Sequence, residues 1–225
     1  MAYRPIFYSL PKFPFYETIN VSFDFEPGFS LVQKQKNIIN LHSAYLSLCE
    51  NRNILDISTK STNHIGVLLS AFNLNVNVKN EMLILECVFQ GSKVFENGGP
   101  YRDLVLNSPY KAKKDKRLKE SGKLIYFDFF NEIFPNEPKD YFYNWLYING
   151  LYKNKTLSEA IMQFDSFSDI EFNPSKSINS QAKAAAIFVG LKKSNQLESA
   201  LESKDSFLKI VYGYENSDFY QMSLF

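Results

Sequence analysis

Residues 72–78 alternate apolar and polar side chains without interruption, Phe72-Asn73-Leu74-Asn75-Val76-Asn77-Val78, and no other run constrains the fold as tightly. A period of two fits a strand with one covered face and does not fit a helix. Lys79-Asn80 then stands before Met82-Leu83-Ile84-Leu85, which predicts a hairpin whose second strand delivers the chain to Glu86. Over residues 86–96 the pattern becomes helical, with Gly98-Gly99-Pro100 placed to end the helix.

Around this centre helices predominate. Val21-Ser22-Phe23-Asp24-Phe25 alternates as an early strand, and Ser30 with Gln33 forms a capping-box pattern opening a helix. Leu41, Tyr45 and Leu48 recur there at helical spacing and predict its inward face. Residues 54–57 read as a short buried strand. Pro109 after Ser108 opens a basic helix running towards Gly122, and a further helix begins near Pro138, carrying Phe142, Trp145, Leu146 and Asn149. Residues 165–177 are polar, with Asn173-Pro174 as a turn, and residues 178–193 are Ala-rich and helical. With 225 residues and no repeat or linker, the expectation is one domain of the α+β class, mostly helical with a small central β element.

Composition narrows the function. Net charge is +1, so attraction to nucleic acid or an anionic membrane has to be local. Aromatic residues make up 16% of the chain, enough to fill a core and still stack on bases. Cys49 and Cys87 are too few for a disulfide framework, and no Cys/His spacing suggests a metal site, so no metal or cofactor is expected. The N-terminus lacks the apolar run of a signal peptide, and no apolar stretch approaches the roughly 20 residues that span a bilayer, so a cytoplasmic protein without membrane contact is expected.

Three segments carry polar chemistry. On a helix, Glu86, Gln90 and Lys93 fall at i, i+4 and i+7, placing a carboxylate, an amide and an amine on one face. If enclosed, they can handle protons together; the same spacing also fits a solvent-facing ion pair. Asp169-Ile170-Glu171-Phe172-Asn173-Pro174, followed by Asn179 and Gln181 at a helix start, suits a phosphate or a second catalytic carboxylate, and equally an ordinary acidic loop. Between residues 111 and 123 seven basic residues, among them Lys111, Lys113, Lys114, Lys116 and Arg117, face only Asp115 and Glu120. That run suits a nucleic-acid backbone or a solvated helix face. Trp145 and Phe142 lie on an apolar stripe and read as core, and His42 and His64 have no partner pattern.

Glu86-Cys87-Val88-Phe89-Gln90-Gly91-Ser92-Lys93-Val94-Phe95 resembles the signature of the NADAR family, and Leu69-Ser70-Ala71-Phe72 is similar to that family's Ser-Asn-Phe element, with Ala71 in place of Asn. Asp169 stands where the family places an Asp before an aromatic-Gly turn, although the Trp-Gly of the small-molecule members is replaced by Ile170-Glu171-Phe172-Asn173. The run from Phe89 to Gly98-Gly99-Pro100-Tyr101 looks like the branch paired as antitoxin with DarT-type toxins. The resemblance implies a single NADAR domain over residues 1–225, with a core at 66–200 and residues 1–50 as a branch-specific extension packed on it. It implies an ADP-ribosyl-guanine N-glycosidase that reverses DNA modification by a DarT-type ADP-ribosyltransferase. Glu86, Lys93 and Asp169 would be catalytic, and Ser70, Phe72, Phe89, Gln90, Asn173, Asn179 and Gln181 would contact substrate. The alternatives are cleavage of a small phosphorylated nucleotide or riboflavin intermediate, and an antitoxin that binds ADP-ribose or DNA without catalysis.

Overall fold

The computed structural model describes residues 1–214. In chain order the elements are β1 (Ala2–Ser9), β2 (Tyr16–Phe23), α1 (Leu31–Leu48), β3 (Ile54–Asp56), α2 (His64–Leu68), β4 (Asn75–Val78), β5 (Glu81–Ile84), α3 (Leu85–Gly91) and β6 (Lys93–Phe95). They continue with α4 (Pro109–Lys113), α5 (Arg117–Glu120), β7 (Leu124–Phe129), β8 (Glu132–Pro135), α6 (Tyr141–Lys153), α7 (Lys155–Ala160), β9 (Ser166–Ser168), α8 (Gln181–Lys193), α9 (Leu197–Leu201) and α10 (Lys204–Tyr212). The fold is α+β and forms one domain. Among the described residues no helix is long and apolar enough to cross a membrane.

Three small sheets organise the chain: β2-β1-β9-β3, the β4-β5 hairpin and β6-β7-β8. In the first, β9 runs antiparallel to β1 and parallel to β3. The strand β1 is covered on both faces: Ile6 joins Val21, Ile38, Leu41 and Tyr45 beneath α1, while Phe7 joins the main core with α8. Alternate side chains of a strand point to opposite faces, so consecutive apolar residues here bind two helical layers to one sheet. The Ala-rich face of α8 lets it approach closely. A Cβ on Gly190 would lie 2.3 Å from the Phe15 carbonyl oxygen, so that position admits only glycine without rearrangement.

The hairpin appears with Lys79 and Asn80 both at positive φ, the geometry of a tight two-residue connection, but its first strand begins at Asn75 because residues 70–74 form a turn. The segment 165–177, read as a polar loop, contains β9: Ser166 and Ser168 are buried, their backbones paired with β1 and β3 and their hydroxyls bonded to Tyr45 and His42 of α1. The 86–96 helix stops at Gly91. Lys93–Phe95 instead pairs with β7, because Val94 and Phe95 bury against that strand and Ser92 turns its hydroxyl back to the Val88 carbonyl. The basic helix towards Gly122 is two short helices, broken at residues 114–116, and the Ser108 side chain makes no cap bond. Leu48, expected inward, is 65% exposed in the last turn of α1. Ser30 caps α1 through the Gln33 N–H, but the Gln33 side chain donates to Glu26 in place of closing the capping box.

Candidate active site

The base of the hairpin places Glu86. The Leu85 N–H donates to the Leu74 carbonyl and the Glu86 N–H to the Ala71 carbonyl, so α3 begins locked to the residue 70–74 turn. Every residue of α3 is buried, and a buried helix has to satisfy its polar side chains internally. Gln90 Nε2 donates to Glu86 Oε1 at 2.9 Å, one helical turn away. Gln90 Oε1 is buried and has no partner among the described residues.

Lys93 reaches the same region from β6, not from the helix face that its spacing suggested. Its Nζ lies 4.7 Å from the centre of the Phe89 ring. Burial pulls its ammonium down to about 8, with Glu86 opposing and Lys113 adding to the fall. Glu86 is 4% exposed and Lys93 half-buried, so the pair is not the solvent-facing one that the spacing also allowed. Lys113 reaches in from α4: its Nζ is 3.8 Å from Glu86 Oε1 and 5.1 Å from the centre of the Phe72 ring.

Asp169 follows β9 directly. Its Oδ1 accepts the Glu171 N–H at 3.0 Å, and burial, with Asp56 behind it, pushes its carboxyl up to about 8. Asp56, on β3, is pushed up to about 6 by burial while accepting the Ser58 and Ser168 hydroxyls and the Ile170 N–H. His42 closes this network from α1, with Nε2 2.9 Å from Ser168 Oγ; burial pulls it down to about 4. Tyr143 on α6 was missed in the sequence. Its hydroxyl feels burial first and then Glu86, Tyr147 and Asp169, which raise its pKa well above the usual value, and its ring stands edge-on to Phe89 at 5.0 Å. Only its place four residues before Tyr147 on one helix face hinted at it, and an aromatic there reads as core.

A cleft of about 550 Å³ opens beside Lys93 and Phe89, between Leu124 and Phe127 on one wall and residues 174–179 on the other, with Lys139, Lys176 and Asn136 at its rim. Asn179 lines it, with its Oδ1 buried and unpartnered among the described residues. The Asn173 Oδ1 is turned into its own loop, accepting from Ser175. Ser70 is buried, and its Oγ accepts the Phe72 N–H. Gln181 is engaged at both ends of its amide: Oε1 accepts the Ala71 N–H at 2.8 Å and Nε2 donates to the Ile57 carbonyl at 2.6 Å.

Of the basic run, Arg117 is held by Asp103 and Asp115 and stacks over Tyr101. Lys114 lies over the Tyr110 ring and bonds its hydroxyl. Lys111 and Lys116 are exposed. Trp145 packs against Phe129 and Phe134.

The arrangement therefore couples an amine of lowered pKa, which lines the cleft, to a buried carboxylate with its own cation; neither Glu86 nor Asp169, whose carboxyl is raised to about 8, lines the cleft itself. A protein-family model described as the DarT1-associated NADAR antitoxin matches residues 2–221. No curated protein matches the chain.

Proposed function

Because the chain belongs to the DarT1-associated NADAR antitoxin family, we propose that it is a glycosidase that removes ADP-ribose from guanine in DNA and so undoes the work of a DarT-type toxin. The observation that carries this reading is Lys93, an amine with its pKa lowered to about 8, which lines the cleft and interacts by charge with buried Glu86. Such an amine is partly neutral near neutral pH and can act as a nucleophile.

Lys93 attacks the anomeric carbon as the bond to guanine breaks, and Glu86 manages the proton that the leaving nitrogen takes up. The ribose ring then opens, its ring oxygen gaining a proton, to leave a Schiff base on Lys93. Water adds to that imine and releases ADP-ribose and the free amine. Asp169, with its carboxyl near 8, is largely protonated at neutral pH and donates a hydrogen bond to a ribose hydroxyl. The cationic rim of Lys139 and Lys176, with Asn179, receives the diphosphate. Phe72, Phe89 and Gln90 frame the sugar and base, while Ser70, Asn173 and Gln181 shape the loops around them. Lys111, Lys114 and Lys116 follow the DNA backbone outside the cleft, with Lys113 and Arg117 tied to carboxylates.

The test is incubation with an oligonucleotide bearing ADP-ribose on guanine, with chelator present. Release of ADP-ribose by the wild type, lost in Lys93→Ala and Glu86→Gln, is expected. Binding without release by the wild type would replace this reading with a non-catalytic antitoxin, and release only from a free nucleotide would replace it with a small-molecule glycosidase.

A further inference from the structure

Two lysines from different elements address one buried carboxylate. Lys113 holds its Nζ 3.8 Å from Glu86 Oε1, with 57% of its side chain exposed. Lys93 has no carboxylate oxygen of the described residues within 4.0 Å and rests on the Phe89 face. Two ammonium groups beside a single carboxylate leave one positive charge uncompensated. The ion with less access to water carries the larger penalty and gives up its proton first.

We propose that Lys113 is a positioning residue that serves as the counter-ion of Glu86, so that Lys93 is released from that duty and gives up its proton more readily at the cleft. The use made of that amine rests on the glycosidase reading; the division of labour between the two lysines does not. Other charged or titratable groups stand around this pair. Tyr143 comes from α6, Lys139 and Lys176 share the cleft with Lys93, and Asp169 lies within the influence of Lys113. Lys139 and Lys176 do not figure among the charges that shift Lys93, and only Lys113 lies within 4.0 Å of Glu86 among the described lysines. The lowered pKa of Lys93, with Lys113 contributing to the fall and Glu86 resisting it, agrees with this geometry.

The experiment is competitive labelling of lysine amines with acetic anhydride across pH, with Lys93 followed by peptide mass spectrometry. Wild type is expected to show a midpoint near 8 for Lys93. In Lys113→Gln, Glu86 has only Lys93 to pair with, and the midpoint rises by about one pH unit, roughly a tenfold loss of labelling at fixed pH. Lys113→Arg keeps the wild-type midpoint. An unmoved midpoint in folded Lys113→Gln, or an equal rise in Lys113→Arg, overturns the proposal. So does a wild-type midpoint at the ordinary lysine value, which decides the matter even if neither variant folds. Labelling needs no turnover, so a protein inactive on ADP-ribosylated guanine would refute the glycosidase without touching this result.

Discussion

Gln181 accepts the Ala71 N–H at 2.8 Å across 110 residues of sequence, and thereby fastens the first turn of α8 to the turn that starts α3. Its other amide atom serves the Ile57 carbonyl, so one side chain joins three segments around the site. Gln181→Ala leaves a buried donor and a buried acceptor unpaired, and a loss of about 3 kcal/mol in urea denaturation is expected. A variant of unchanged stability but weakened ligand binding would show that this amide serves the ligand.

Sodium borohydride added during turnover should reduce the imine and fix ADP-ribose to Lys93, giving an adduct of that mass on the peptide that carries it. Lys93→Ala should lose about 100-fold or more of the rate without a change in melting temperature. Turnover at full rate with no adduct would leave Lys93 as an acid or base only.

His42 titrates near 4 when folded and near 6.5 when free, because burial disfavours its charged form. Between those values the unfolded chain binds the additional proton, so stability falls as pH drops from 6.5 to 4, by at most about 3 kcal/mol from this group. Asp56 and Asp169 act in the opposite sense, since their raised values keep protons on the folded state. The difference between wild type and His42→Gln in thermal melting at several pH values isolates the histidine. It should widen in favour of the variant as pH falls, and a constant difference would refute the assignment.

Lys111, Lys114 and Lys116, like Lys119 and Lys123, are cations of the run not held by a carboxylate among the described residues. Replacing all three with Gln should weaken binding to ADP-ribosylated DNA and lower the slope of log affinity against log salt by about one per lysine. Cleavage of free ADP-ribosyl guanosine should be unaffected. Equal losses on both substrates would place these lysines in the cleft chemistry.

Local pattern made part of this molecule legible. Ser30 is an N-cap, Lys79-Asn80 is a two-residue turn, and Leu41 and Tyr45 face inward, because each follows from neighbours within one or two turns of chain. Lys93 shows where such reading ends. Its spacing from Glu86 suited a helix, and only the presence of β7, some thirty residues later, makes Lys93–Phe95 a strand. The strand β9 was hidden for the same reason: three serine-rich residues carry no strand signal until β1 and β3 lie on either side. The three segments that carry Glu86, Asp169 and Lys113 were each visible in the sequence. That Lys113 reaches Glu86 while Lys111 and Lys114 face water goes with the packing of Ala112 against Cys87, which docks α4 on α3 and which composition did not reveal.

The place of β9 between β1 and β3 also sets a timetable. Ser168 follows Asp56 by 112 residues, so on a ribosome the outer strands emerge long before the strand that unites them. A chain halted before residue 166 already holds Glu86 and Lys93, yet it lacks both the closing strand and Asp169. Contacts so distant in sequence form late and slowly. The sheet is therefore completed only after residue 168 has emerged, and any shorter chain leaves β1 and β3 without the strand that joins them.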